Sequence, residues 1–155
     1  MTTIRLAVPD DLPHLSALFD AYRVFYEQVS DIPLANRFIN ERFNNQDSAL
    51  LVALNNEAIS GEQNLTGFCQ IYPSFCSVIA ARIGVLYDLF VDPSIRKSGT
   101  GKALMLAAHE YAAEHGFARL DLTTAKTNLA AQGLYESLGW VRDEVFYSYS
   151  KEVVS

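Results

Sequence analysis

Arg96, Gly99 and Gly101 lie in the segment Arg-Lys-Ser-Gly-Thr-Gly-Lys, after an apolar run at 86–91 that Pro93 stops and at the start of a helix-forming stretch. Those residue types at that junction suit an anion. A helix N-terminus leaves several backbone NH groups without intrahelical partners and carries the positive end of the aligned peptide dipoles. Glycines there remove the side chains that would hold a pyrophosphate away, and an arginine adds a full charge. The expected guest is a phosphorylated cofactor.

Three kinds of phosphate loop can be compared with these residues. A P-loop, Gly-x-x-x-x-Gly-Lys-Ser/Thr, would need glycine at Arg96 and a hydroxyl at Ala103. The dinucleotide fingerprint Gly-x-Gly-x-x-Gly would need a third glycine at Leu104. What remains is Arg-x-x-Gly-x-Gly, Arg96 to Gly101, following Val91-x-Pro93; it resembles the acetyl-CoA pyrophosphate loop of the GNAT superfamily of N-acetyltransferases. A solvated turn that contains two glycines is the alternative for the loop taken alone. Lys97 is a departure, since many members carry glycine directly after the arginine.

The segment Asn128-Leu-Ala-Ala131-Gln-Gly-Leu-Tyr135-Glu-Ser-Leu-Gly139-Trp140 resembles the second GNAT signature, a helix opened by Asn and closed at Leu-Gly-Trp or Leu-Gly-Phe. Its physics reads without the family. Asn128 is a good N-cap, Ala130, Ala131, Leu134, Tyr135 and Leu138 form a helical apolar stripe, and Gly139 is a stop. Taken alone, Tyr135 reads as a core aromatic. Two signatures in the right order strengthen the catalytic alternative.

The elements that must position these segments follow from hydrophobic period and punctuation. A short alternating strand at 4–8 precedes Pro9-Asp10-Asp11, which starts a helix with the stripe Leu12, Leu15, Phe19, Tyr22, Phe25, Tyr26 and Val29. After a break at Asp31-Ile-Pro33, a second amphipathic helix covers 34–44. Strands at 48–54 and 65–72 flank a polar hairpin loop at 55–64, and Tyr72-Pro73-Ser74-Phe75 interrupts the approach of the strand at 86–91. A long helix at 101–115, a buried strand at 120–124, the helix at 128–138 and a β-rich tail at 145–151 complete the order. That order, β-α-α-β-β-β-α-β-α-β, is the GNAT order, and the resemblance covers essentially the whole chain. It implies an α/β (α+β) fold: a mixed central sheet with splayed fourth and fifth strands flanked by helices. The opening helix 21–26, the strand Tyr-Asp-Leu-Phe-Val and the Phe-Tyr tail look most like the Hpa-type histone and polyamine acetyltransferase subgroup.

With 155 residues, half of them hydrophobic, the chain is expected to be a single domain, 1–155, with a full core. Its apolar runs are too short to span a bilayer, and its N-terminus lacks the regions of a signal peptide, so the expected location is cytoplasmic. Cys69 and Cys76 read as reduced thiols. A formal charge of −6, from 18 acidic and 12 basic residues, argues against nonspecific nucleic-acid binding and favours cationic acceptors. The three histidines are scattered, so no metal site is expected.

The resemblance also implies a mechanism. Leu89, Phe90 and Val91 on one splayed strand and Thr123 on the other would pair with the pantetheine arm of acetyl-CoA. The loop residues Arg96, Lys97, Ser98, Gly99, Thr100, Gly101 and Lys102 would hold the pyrophosphate, with Asn128, Ala131 and Tyr135 on the pantetheine side. The Leu89 N–H matches the family's oxyanion donor and Tyr135 its general acid toward the departing thiolate. Asp88 is a candidate to orient the amine or take its proton, or else an inward carboxylate that caps a neighbouring loop. Tyr22, Tyr26, Glu27 and Asp31 would form the acceptor wall, although Tyr22 and Tyr26 also fit a plain core stripe. The implied partners are acetyl-CoA, a cationic primary amine and, through the aromatic tail, a second copy in a homodimer. A non-catalytic acyl-CoA-binding or regulatory module is the competing function, and it would be favoured by loss of the Tyr135 phenol or the loop glycines, neither of which has occurred.

Overall fold

The computed structural model describes residues 2–56, 64–95 and 98–154. They divide into two compact units, Met1–Thr123 and Thr124–Ser155. Most of the expected hairpin loop, at 57–63, lies outside the described residues.

The first unit is a five-stranded sheet in the order β1-β2-β3-β4-β5: β1 Thr2–Leu6, β2 Ala49–Asn55, β3 Leu65–Cys76, β4 Ala81–Val91 and β5 Leu120–Asp121. The first four strands are antiparallel, whereas β5 joins β4 in parallel through only two pairs, Gly84↔Leu120 and Val85↔Asp121. The two strands then part, as the resemblance implied for the fourth and fifth. Beyond Val85 the β5 side of β4 has no strand partner among the described residues.

Helix α1, Leu12–Phe25, and helix α2, Ile32–Asn45, cover one face of this sheet. Leu15, Phe19, Ile39, Val52, Phe68 and Phe90 form its core there, and Phe19 stacks on Phe38 with ring centroids 5.3 Å apart. Val29, placed on the α1 stripe by its spacing, is 86 % exposed because the helix ends at Phe25. The expected break at Asp31-Ile-Pro33 is instead the start of α2. Asp31 accepts the Leu34 N–H at 3.1 Å as N-cap, and Pro33 sits in the first turn, where the missing N–H costs nothing. Helix α3, Thr100–Glu114, packs Leu104 and Met105 against the sheet.

Pro73 does not interrupt β3. It pairs with Gly84 beyond Ala49↔Ile71, where β2 has ended, so β3 has a strand on one side only and the absent N–H leaves no ladder bond unmade.

In the second unit α4, Leu129–Ser137, runs from its N-cap Asn128 to Gly139, whose φ of +91° closes the helix. The Trp140 N–H reaches back to the Tyr135 carbonyl at 3.0 Å. Residues 145–151 form no strand. Val145, Phe146, Tyr147 and Tyr149 are 77–90 % exposed. β-propensity becomes a strand only beside a paired edge, and this unit holds no other strand among its described residues. The expected strand at 120–124 is likewise reduced to Leu120–Asp121.

Candidate active site

A single extra residue in β4 builds the centre of the site. Gln70 pairs with Asp88 but Ile71 pairs with Leu86, so Tyr87 is left over as a β-bulge. Two consequences follow. The first concerns side chains: Gln70 and Tyr72 share one face of β3, the Asp88 carboxylate meets Gln70, and the Tyr87 ring meets Tyr72 at 5.5 Å. Tyr87 and Asp88 therefore stand side by side on the face covered by α1.

The second concerns the backbone. Before the bulge the Gly84 N–H donates toward β5, to the Arg119 carbonyl at 2.9 Å; after it the Asp92 N–H donates toward β3, to the Thr66 carbonyl at 2.8 Å. Even-numbered residues thus change edges across the bulge. The alternation of a strand then directs the N–H groups of Leu89 and Val91 to the edge that β5 leaves unpaired.

Asp88 is 4 % exposed. Its Oδ2 accepts the Gln70 Nε2 at 2.7 Å, and the Gln70 Oε1 accepts the Ser48 hydroxyl at 2.7 Å, which fixes the direction of the amide. The Tyr22 phenol also hydrogen bonds to the carboxylate and lies 3.5 Å from the Tyr87 carbonyl oxygen. Burial raises the Asp88 carboxyl above the usual range, against the lowering effect of the Gln70 and Tyr22 donors. Burial and then the Asp88 charge raise the phenols of Tyr22 and Tyr72 far above their ordinary value. The same two causes push the Cys69 thiol up to about 12.

The other buried carboxylates differ. Asp11 receives both guanidinium nitrogens of Arg5, at 2.6 and 3.1 Å, and the Val8 N–H at 2.8 Å. Asp20 receives the Ser30 hydroxyl at 2.6 Å and the Asp31 N–H at 2.8 Å, tying the end of α1 to the start of α2. Asp88 is held by a neutral amide and a phenol, with no ion-pair partner among the described residues.

The remaining expected residues fall as follows. Tyr22 is half-buried and Tyr26 exposed, their rings 5.1 Å apart. Glu27 is exposed and in the left-handed region, with φ +66°, and Asp31 is engaged as the α2 cap. Gly99 is the N-cap of α3 at φ +80°, and a Cβ there would project into open space. The Ala103 N–H makes the first bond of the helix, to the Gly99 carbonyl, so the N–H groups of Thr100, Gly101 and Lys102 have no intrahelical acceptor. The Ser98 and Thr100 hydroxyls are 2.7 Å apart. An open N-terminus entered through a left-handed glycine fits a diphosphate. Arg96 and Lys97 lie outside the described residues. Phe90 packs into the core with its neighbours Leu89 and Val91 half-buried, and Thr123 follows β5 without regular structure.

In the second unit Asn128 spends its Oδ1 on the Ala131 N–H at 3.2 Å. Tyr135 is half-buried, with its ring centroid 6.3 Å from that of Trp140.

Residues 15–140 match the model of the Acetyltransferase (GNAT) family. The chain belongs to this family. It is 41 % identical over 150 residues, 97 % of both chains, to the uncharacterized N-acetyltransferase YhfO of Bacillus subtilis strain 168. A solved structure described as a probable acetyltransferase superposes with TM-score 0.89 at 32 % identity, over 99 % of both chains. A mycothiol acetyltransferase of Salinispora tropica is 41 % identical over 71 residues, 45 % of this chain but only 23 % of that protein. The protein is thus a GNAT acetyltransferase, with acetyl-CoA as its donor. No group of three or more His, Cys, Asp or Glu side chains able to hold a metal ion occurs among the described residues, and no described helix is long and apolar enough to cross a membrane.

Sequence reading missed Gln70, Tyr72, Tyr87 and Ser48. Gln70 did leave a signal: a lone amide in the otherwise apolar run Gly-Phe-Cys-Gln-Ile, at a position that alternation turns inward. The bulge left none.

Proposed function

We propose that this GNAT acetyltransferase transfers the acetyl group of acetyl-CoA to a cationic primary amine of a small molecule or peptide, by direct attack in a ternary complex. The supporting observation is Asp88, a buried carboxylate with no ion-pair partner among the described residues, one residue from the Leu89 N–H that faces the unpaired edge of β4.

The ammonium must first lose a proton, and Asp88 receives or relays it. The free amine attacks the thioester carbonyl, the Leu89 N–H stabilises the oxyanion, and the C–S bond breaks. The Tyr135 phenol gives its proton to the CoA sulfur and recovers one from solvent. The products are the amide, CoA thiol and one proton. Leu89, Val91 and Thr123 pair with pantetheine, whereas Phe90, expected beside them, turns its main chain to β3 and its ring into the core; the 96–102 loop holds the pyrophosphate, and Asn128 and Ala131 complete the donor site.

Direct transfer is favoured over a thioester enzyme. Cys69 is fully buried, and its raised pKa keeps it a thiol. Cys76 stands at the far end of β3, roughly 20 Å along the strand from Gln70.

The exposed aromatic tail supports a homodimer, which sedimentation at micromolar concentration tests; a monomer alone would refute it. The likeness of the opening helix and the Tyr87–Val91 strand to the Hpa-type subgroup, together with the charge of −6, supports a single-domain cytoplasmic enzyme acting on amines rather than on nucleic acid or membrane.

Initial rates with both substrates varied, followed by thiol release, test the reading. Intersecting reciprocal plots are expected; parallel plots or a captured acetyl-enzyme would overturn direct transfer. Tyr135→Phe should lower kcat by up to about 10²-fold with acetyl-CoA affinity unchanged. Unchanged kcat with lost thermal stability would make Tyr135 a core aromatic.

A further inference from the structure

The site beside Asp88 is walled chiefly by rings, and the charges near its Tyr72 side, Arg42 and Asp47, are paired with each other at 2.9 Å. From α1 and the turn after it, Tyr22, Phe25 and Tyr26 are linked at centroid distances of 5.1 Å for Tyr22 with Tyr26 and 5.2 Å for Phe25 with Tyr26. From the sheet come Tyr87 and its neighbour Tyr72. Three of these rings present much of their surface to solvent: Tyr87 is 67 % exposed, Phe25 54 % and Tyr26 49 %. Aromatic surface gathered around one buried carboxylate is unusual on a free protein face and marks a contact surface for a ligand.

We infer that the acceptor is a monoammonium compound with a flat apolar body, an arylalkylamine in chemical class, whose ammonium meets Asp88 while its ring packs on Tyr87, Tyr26 and Phe25. This rests on the reading of the protein as an amine acetyltransferase and narrows it. The carboxylate can take the charge. It offers about four lone-pair sites, of which Gln70 and Tyr22 use two. The rings can take the body, since aromatic pairs contribute beyond their buried area and ring faces attract the ammonium as it enters.

A polycation fits less well. A second ammonium would lie over the aromatic rim, where the next acidic residue along the chain from α1 is the exposed Glu27, whose pairing solvent screens, and where Asp47, near Tyr72, is already engaged by Arg42. Asp31 is engaged as a helix cap. A second carboxylate at hydrogen-bond distance of Asp88 is absent among the described residues.

Phenethylamine and diaminobutane, assayed at saturating acetyl-CoA by thiol release, test the inference. The expected kcat/KM ratio favours phenethylamine by about tenfold or more. Tyr87→Ala, at an exposed position that carries no fold contact in the core, should reduce kcat/KM for phenethylamine at least about fivefold more than for diaminobutane, and Tyr87→Phe should restore it. Equal or higher kcat/KM for diaminobutane, or equal losses for both amines in Tyr87→Ala, overturns the inference while leaving amine acetylation intact. If neither amine is acetylated, the reading of the activity fails separately. The pocket is then decided by calorimetric binding of the same two amines to the complex with CoA, where tighter phenethylamine binding that Tyr87→Ala weakens sustains it and any other order refutes it.

Discussion

Gly67 lies on β3 opposite Val91, and the space beside it is occupied by backbone. A Cβ there would stand 2.7 Å from the Phe90 carbonyl oxygen and 3.3 Å from the Val91 Cα, with the Leu104 Cδ1 at 3.4 Å. A side-chain tip could rotate aside; a carbonyl in a paired strand cannot. Gly67→Ala must therefore push β4 away by roughly half an ångström before the contact relaxes to ordinary separation. Overpacking of this kind costs about 1–3 kcal/mol, which for a chain of this size lowers Tm by about 3–10 °C. The displaced residues adjoin Leu89 and form the edge proposed to pair with the donor. A misplacement of about 1 Å can cost about 10²-fold in rate, so half of that predicts roughly a tenfold loss in kcat/KM for acetyl-CoA. Gly84→Ala is the control. Its Cβ would meet the tips of Leu120 and Ile71 at 2.8 and 2.9 Å, away from that edge. Thermal unfolding by circular dichroism and initial rates check both variants. If Gly67→Ala keeps its Tm and its kcat/KM, or if Gly84→Ala loses donor affinity equally, the assignment of the β4 edge is wrong.

Three further outcomes are expected. Gly99→Glu projects a carboxylate from a left-handed position into open space, so calorimetry should show acetyl-CoA binding lost, with a strain cost of only about 1 kcal/mol to the fold; retained affinity in a folded variant would place the donor elsewhere. Burial raises the Asp11 carboxyl, but the Arg5 and Val8 donors outweigh it and hold its pKa below the usual range, so its stabilisation is present above the unfolded pKa of about 4 and lost as pH falls through the folded value. Asp11→Ala should cost about 1–3 kcal/mol at neutral pH in urea unfolding, and the gap to wild type should narrow in acid; a gap independent of pH would contradict the linkage. Asp88 has the opposite sign. Its folded pKa is raised, so wild type loses stability as pH climbs from about 4 toward that value, and Asp88→Asn should gain in relative stability over the same window while losing activity; parallel stability profiles would refute the buried-charge account.

The parts of the fold that were legible in the sequence are those written in local chemistry. The Asn128 cap, the Gly139 stop and the apolar stripe of α1 need only neighbours within a few residues, and each appears in the structure close to its expected place. From the sequence, Pro33 and Pro73 read as breaks because proline disfavours element interiors. In fact one opens α2, and the other sits where β3 has lost its β2 neighbour, a fact about strand lengths that no local window contains. The tail shows the converse, with strand-forming residues and no strand in their own unit among its described residues. Asp88 is legible because it adjoins the motif; its partners are not, since Gln70, and Ser48 through Gln70, reach it only through antiparallel register. Whether Tyr87 pairs or bulges depends on a one-residue mismatch between two strands, which is invisible to either strand alone.

That one-residue mismatch separates two kinds of recognition. On the reading proposed above, the donor is read by main-chain groups at a strand edge, and the acceptor by the side chains of Tyr87, Asp88 and the helix above them. Main-chain groups are the same whatever residue bears them. Substitutions at Tyr22, Phe25, Tyr26 or Tyr87 can therefore diversify the acceptor over evolutionary or laboratory time while the donor half stays constant. Deleting Tyr87 would take its ring from the acceptor side while Leu86, Asp88 and Leu89 kept their partners Ile71, Gln70 and Cys69, so the Leu89 N–H would still face the open edge.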